Sequence, residues 1–171
     1  EISDQHDCTS YRRPKQFGSG NVFVIDVIRE MLLSKEIGER NFIVMFPTVP
    51  LRLEKDFERG FELFQKLNCQ SQVVSVSAAP YPYEVGLNLE DQRVSPKFPE
   101  YYLNSTRHTD YQNLYHANYS FVFSSGKTLL ENKTLIETGA YAIETHPMSS
   151  IDIADEVQFT IAEALYEKLF K

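Results

Sequence analysis

The run Asn41 to Arg52, NFIVMFPTVPLR, constrains the fold more than any other part of the chain. Phe42, Ile43, Val44, Met45 and Phe46 favour strands and show no polar alternation. Such a run predicts a strand Phe42–Phe46 buried on both faces, as in a parallel sheet sandwiched between helices. Pro47 has no backbone N–H to offer a sheet, so pairing is expected to stop there. Thr48 to Arg52 then form a stiff turn at the carboxyl end of a strand. Open α/β sheets place their ligands at such ends.

The flanking periodicities agree with this. Val24 to Ile37 carries Val24, Val27, Ile28, Met31 and Leu32 at helical spacing, and Gly38 is a natural stop. The segment LEKDFERGFELFQKL sets Phe57, Phe61 and Phe64 on one helical face, with charges opposite. Gln72 to Ser77 reads as the next strand. Helix, strand, helix, strand predicts right-handed crossovers in a mostly parallel sheet, with Phe42–Phe46 central and the phenylalanine helix packed on it. Between Ala78 and Tyr111 the regular order breaks down into Pro80, Pro82, Pro96, Pro99 and many tyrosines, as in a lid, a binding loop or a dimerisation arm. Order returns with NYSFVFSS, a strand alternating through Tyr119, Phe121 and Phe123. A short helix, GKTLLENK, and a strand, AYAIETH, come next. The closing helix has Val157, Ile161, Ala164, Leu165 and Leu169 on one side, with Asp152 or Asp155 as its cap.

With 171 residues, 42% of them hydrophobic, the chain is long enough for one domain spanning 1–171 with a substantial core. Its formal charge of −7 leaves no electrostatic footprint for nucleic acid or an anionic membrane. A small anion is still admissible, since it needs only a few cations or backbone N–H groups. No stretch has the length of a membrane span or the pattern of a secretory signal, which points to the cytoplasm. Cys8 and Cys69 have no metal-type spacing and are expected to be a reduced pair. The sequons at Asn104, Asn118 and Asn132 then read as chance matches. The opening at Glu1, without methionine, suits a fragment or a processed product.

Local motifs carry less. Gly18–Asn21, GSGN, lacks the lysine–serine ending and the preceding strand of a phosphate loop, and reads as a plain turn. His116 has Asn118 nearby but no serine or cysteine in a nucleophile context, so a hydrolytic triad has no support. Arg12 and Arg13 before Pro14 suit a phosphate or plain solvated surface. Asp152 and Asp155 suit a divalent cation or a helix cap.

Longer motifs add a resemblance. PTVPLR, Pro47 to Arg52, resembles the PTSPLR motif of the cytidylyltransferases that make CMP-activated acidic sugars, the N-acylneuraminate (CMP-sialic acid) synthetases and their relatives. Lys55, Asp56 and the GFELF run after them are similar to that family's next helix, and VVSVS to its next strand. YHANYSFVF (Tyr115–Phe123) is similar to its ANG-I-Y-I strand, and SIDIADEVQFTIAEALYEK to its DIDTEED…AE ending. Upstream, YRRP and IDVI resemble its RP and DVI stretches.

The resemblance implies a mostly parallel, Rossmann-like sheet flanked by helices, with 78–111 as a projecting dimerisation arm. It implies transfer of CMP from CTP to an acidic nine-carbon sugar, release of pyrophosphate, and a homodimer. Asp152 and Arg52 would be catalytic, and Asp152 and Asp155 would hold Mg2+. Arg13, Thr48, Arg107, Gln112 and Asn118 would bind substrate. The chain departs from the family pattern at Phe46 (usually glutamine), Tyr119 (glycine), Ala154 (the second aspartate) and Tyr111 (a basic residue). The family's N-terminal CTP-gripping segment has no counterpart between Glu1 and Lys171. Two expectations result: a transferase completed by upstream residues, or a non-catalytic module that binds a nucleotide-sugar or a protein.

Overall fold

Residues 5, 6, 8–103 and 113–170 are described by the computed structural model. Asn104, Arg107, Tyr111, Gln112 and the side chain of Leu169 lie outside the described residues. In chain order the elements are α1 (Val24–Ser34), β1 (Asn41–Val44), α2 (Glu54–Lys66), β2 (Val73–Ala78), β3 (Leu87–Glu90) and β4 (Arg93–Pro96). They continue with α3 (Pro99–Tyr102), β5 (Tyr115–Ser125), α4 (Gly126–Glu131), β6 (Tyr141–Glu144) and α5 (Glu156–Phe170).

Four strands form one sheet in the order β1-β5-β2-β6. β5 runs antiparallel to both β1 and β2, while β2 and β6 pair in parallel. The sheet is therefore mixed and mostly antiparallel, which corrects the mostly parallel expectation. The run around Phe42–Phe46 is not central either: β1 is the sheet's edge, and Ile43 and Met45 are each 43% exposed. The centre belongs to β5, whose Phe121, Val122 and Phe123 are all buried. An unbroken apolar run reports a strand without reporting what covers it, and helix–strand alternation says nothing of a later strand inserted between two earlier ones.

Helices cover both faces. On one, Phe64 of α2 joins Val73, Phe121, Phe123 and Ile143, with Phe57, Leu63 and Leu67 packed around them. Phe57 meets Phe121 edge-on at 5.7 Å between ring centroids, and Phe64 stacks on Phe123 at 5.8 Å. Phe61, expected on the same buried face, is 45% exposed and touches only the margin of this cluster through Phe123. Gly60 allows the close approach of α2: a Cβ there would lie 2.7 Å from the Phe121 ring and 2.9 Å from that of Phe123. On the opposite face, Ile25 and Leu32 of α1 pack with Leu129 of α4, against Phe42, Val44 and Leu135.

Two elements stand apart from this core. β3 and β4 form their own two-stranded ribbon, with Leu87 opposite Pro96 and Leu89 opposite Val94. The ribbon is anchored by Lys97 N donating to Gly86 O at 2.8 Å and by the Tyr83–Phe98 ring contact. The helical period of the closing helix assigns Val157, Ile161, Ala164 and Leu165 to its buried side. In α5 Val157, Ile161 and Ala164 are instead exposed, and Ala162 is the buried one among the described side chains. Cys8 and Cys69 are free thiols. Asn118, one of the three sequon residues, is buried, so the folded chain does not offer it for glycosylation. Among the described residues no helix is long and apolar enough to cross a membrane.

Candidate functional site

β1, β2 and β6 point the same way, so their carboxyl ends share one side of the sheet. On the α1 face a cleft of about 590 Å3 runs from Phe46, just past the carboxyl end of β1, to the Lys133–Leu135 loop, lined by Phe23, Val24 and Ile25 of α1 and its approach, by Phe46 and Tyr119, and by Lys133, Thr134, Leu135 and Asp152. Its walls are mostly apolar, with three aromatic rings and a few polar groups, the usual make-up of a small-molecule pocket.

The cleft is shaped by an irregularity in β5. Val74 pairs with Val122 and Val76 with Ala117, so two steps along β2 are matched by five along β5. Ser75 holds the gap closed: its Oγ accepts from Phe121 N at 3.0 Å and donates to Phe121 O at 3.1 Å. Asn118, buried, donates from Nδ2 to Ser77 Oγ and Thr145 Oγ1, both at 2.7 Å, while its Oδ1 accepts from Ser120 N at 3.1 Å. That last bond spans a two-residue turn and leaves Tyr119 between its ends, at φ +55°. Left-handed backbone is costly for a bulky L-residue. The Tyr119 ring leans on Phe46, with centroids 5.1 Å apart and planes tilted by 58°.

The loop after β1 is tied to the same place. Arg52 donates from Nε to Ser120 O at 2.8 Å and from Nη2 to Phe46 O. Partial burial pushes the Arg52 pKa down from its ordinary value, yet a guanidinium stays charged at neutral pH. Its visible work is structural: it ties down two of the cleft's three aromatic residues, through the carbonyl of Phe46 itself and that of Ser120 next to Tyr119. Thr48 O accepts from Ile153 N at 2.8 Å, and Ser149 Oγ donates to Leu51 O at 3.0 Å. The third segment, with Asp152, is thereby held against the loop.

The residues expected at the site divide accordingly. Asp152 lines the cleft. Thr48, Arg52 and Asn118 surround it as backbone anchors and turn-formers. Asp155 caps α5, its Oδ1 accepting from Val157 N at 2.9 Å and Gln158 N at 3.0 Å. Arg13 is exposed on the segment before the Lys15–Phe17 turn and is not among the cleft's lining residues. Arg107 and Gln112 lie outside the described residues. Among the described residues no group of three or more His, Cys, Asp or Glu side chains gathers at metal-binding distance. The donor set that fits a magnesium ion is Asp152 alone, and only with oxygens brought by a nucleotide, since magnesium is commonly held by one or two carboxylates plus phosphates.

Sequence reasoning missed Lys133 and Phe23. Lys133 sits in an unremarkable ENKT stretch, and its position depends on a contact 65 residues distant in sequence: Glu137 N donates to Gln72 Oε1 at 2.8 Å. Gln72 Nε2 donates in turn to Leu135 O at 3.1 Å and Ser124 Oγ at 2.9 Å, fastening the loop to the sheet. No local periodicity could have signalled this. The chain matches no protein-family model and no curated protein.

Proposed function

We propose that this chain is a nucleotide-binding domain of the CMP-sialic acid synthetase type, serving transfer of CMP from CTP to an acidic nine-carbon sugar with release of pyrophosphate. One observation supports this most: three segments far apart in sequence, Phe46–Arg52, Asn118–Ser120 and Ser149–Asp152, are hydrogen-bonded together beside one cleft next to the carboxyl end of β1. All three overlap motifs that carry the resemblance, while the lining rings Phe46 and Tyr119 are two of its departures. In this reading Asp152 would hold a magnesium ion together with the phosphates, and the ion would supply charge neutralisation for the leaving pyrophosphate. Arg52 keeps the surrounding backbone in place, and Asn118 sets the β5 turn. A cytoplasmic setting and a homodimer built through the 78–111 excursion belong to the same proposal.

The test is calorimetric titration of CTP with magnesium, followed by a pyrophosphate-release assay with CTP and N-acetylneuraminate. Magnesium-dependent CTP binding and sugar-dependent pyrophosphate release are expected. Absence of any binding of CTP, with or without magnesium, would overturn the reading.

A second reading, binding without catalysis, is favoured by a specific observation. Asp155 uses an oxygen in the α5 cap, Ala154 has no ligand atom in its side chain, and Arg52 has two of its nitrogens engaged with carbonyls. Nucleotide binding without pyrophosphate release would single it out.

A further inference from the structure

We infer that the cleft holds a nucleoside phosphate with its base against Tyr119 and Phe46 and its phosphate at Lys133. Tyr119 and Lys133 are then ligand-binding residues that the resemblance does not supply. The inference rests on the nucleotide reading above and adds to it an orientation and two residues.

The first observation is the backbone of Tyr119. A tyrosine at φ +55° inside a strand persists only where its surroundings over-determine it, and such strain gathers at ligand sites. Here the Asn118 turn imposes it, and the outcome is a phenol ring that lines the cleft beside Phe46. A glycine at this position would adopt the same turn without strain but would give the cleft no ring. Aromatic faces bind bases by stacking, tolerantly of the base's identity.

The second observation is independent and concerns charge. Lys133 lines the same cleft, is exposed, and has no ion pair or hydrogen bond among the described residues. An ammonium group is a point charge well suited to phosphate. Asp152, also without a partner among the described residues, repels a bare anion and so leaves Lys133 as the place for one. A purely apolar ligand would leave both charges unused. Inorganic phosphate alone would leave the three rings unused. A ring that carries a phosphate uses both.

The experiment titrates CMP, cytidine and inorganic phosphate, without metal, into the full chain and into Lys133→Met and Tyr119→Asn. Asparagine accepts left-handed backbone, so Tyr119→Asn removes the ring while keeping the turn. It is expected to melt within about 4 °C of the parent. In the parent, CMP should bind about tenfold more tightly than cytidine, and Lys133→Met should abolish that difference. Tyr119→Asn should weaken CMP and cytidine alike by about tenfold, in line with the loss of one stacking contact. Unchanged CMP affinity in either variant would overturn the inference while the nucleotide reading stood. The same holds if inorganic phosphate still displaces CMP from Lys133→Met as well as from the parent. If the parent binds neither CMP nor CTP with magnesium, both fall together.

Discussion

Two aspartates three residues apart, Asp152 and Asp155, show what a single residue discloses of its role. The sequence offers each as cap or metal ligand, and only packing divides the roles. Asp155 Oδ1 accepts two N–H groups of the first turn of α5, whereas Asp152 lines the cleft without a partner among the described residues. Asp155→Ala is therefore expected to destabilise the fold by about 1 kcal/mol through loss of the cap, and to leave nucleotide affinity unchanged. Asp152→Asn should change stability by no more than about 0.5 kcal/mol, as for exposed positions generally, and should abolish any magnesium dependence of CTP binding. Urea unfolding and paired titrations with and without magnesium read the two effects separately; a reversed pattern would exchange the roles. Asn118 is legible as a candidate from its neighbours in the chain. Its means of action is not, because its partners Ser77 and Thr145 lie 41 and 27 residues away.

Among the elements, α2 is the most legible, because a helix facing a sheet advertises its buried side as a period. Phe57 and Phe64 reach the core as that period predicts, and Phe61 sits at the margin. Phe64→Ala should cost about 3–5 kcal/mol, the usual range for a fully buried phenylalanine. Phe61→Ala should cost well under half of that. Gly60→Ala pushes a methyl against two rings and is expected to destabilise by about 1–3 kcal/mol despite alanine's better helix propensity. Chemical denaturation of the three variants gives the ranking; a Phe61 variant as damaging as Phe64→Ala would contradict the packing. Sheet pairing is less legible. Phe42–Phe46 reads as buried, yet β1 is an edge, because strand order depends on β5, more than 70 residues later. The β3–β4 hairpin carries no turn signal: Asp91 (φ +46°) and Gln92 (φ +66°) hold the two left-handed positions where Asn-Gly would have announced it.

Across the whole molecule, the described residues leave the apolar face of that hairpin uncovered. Register puts Leu87, Leu89, Val94 and Pro96 on one side of the ribbon and Asn88, Glu90, Arg93 and Ser95 on the other. Leu89 is 71% and Val94 64% exposed, and Leu87 is 47% exposed. A two-stranded ribbon is marginal by itself in water, and a strip of this kind is self-complementary about a two-fold axis. The proposed homodimer would cover it with the same strip of a second copy. Each copy carries a formal charge of −7, so association has to overcome like-charge repulsion that salt screens. The dimer is therefore expected to tighten as ionic strength rises, the opposite of an interface held by surface ion pairs. Sedimentation equilibrium at low and high salt measures this directly. The double variant Leu89→Arg, Val94→Lys places cations in the middle of the strip and should yield a monomer with its unfolding midpoint little changed, since neither side chain belongs to the core. A parent that sediments as a monomer at high micromolar concentration and high salt, or a dimer indifferent to the double variant, would remove the hairpin from the interface.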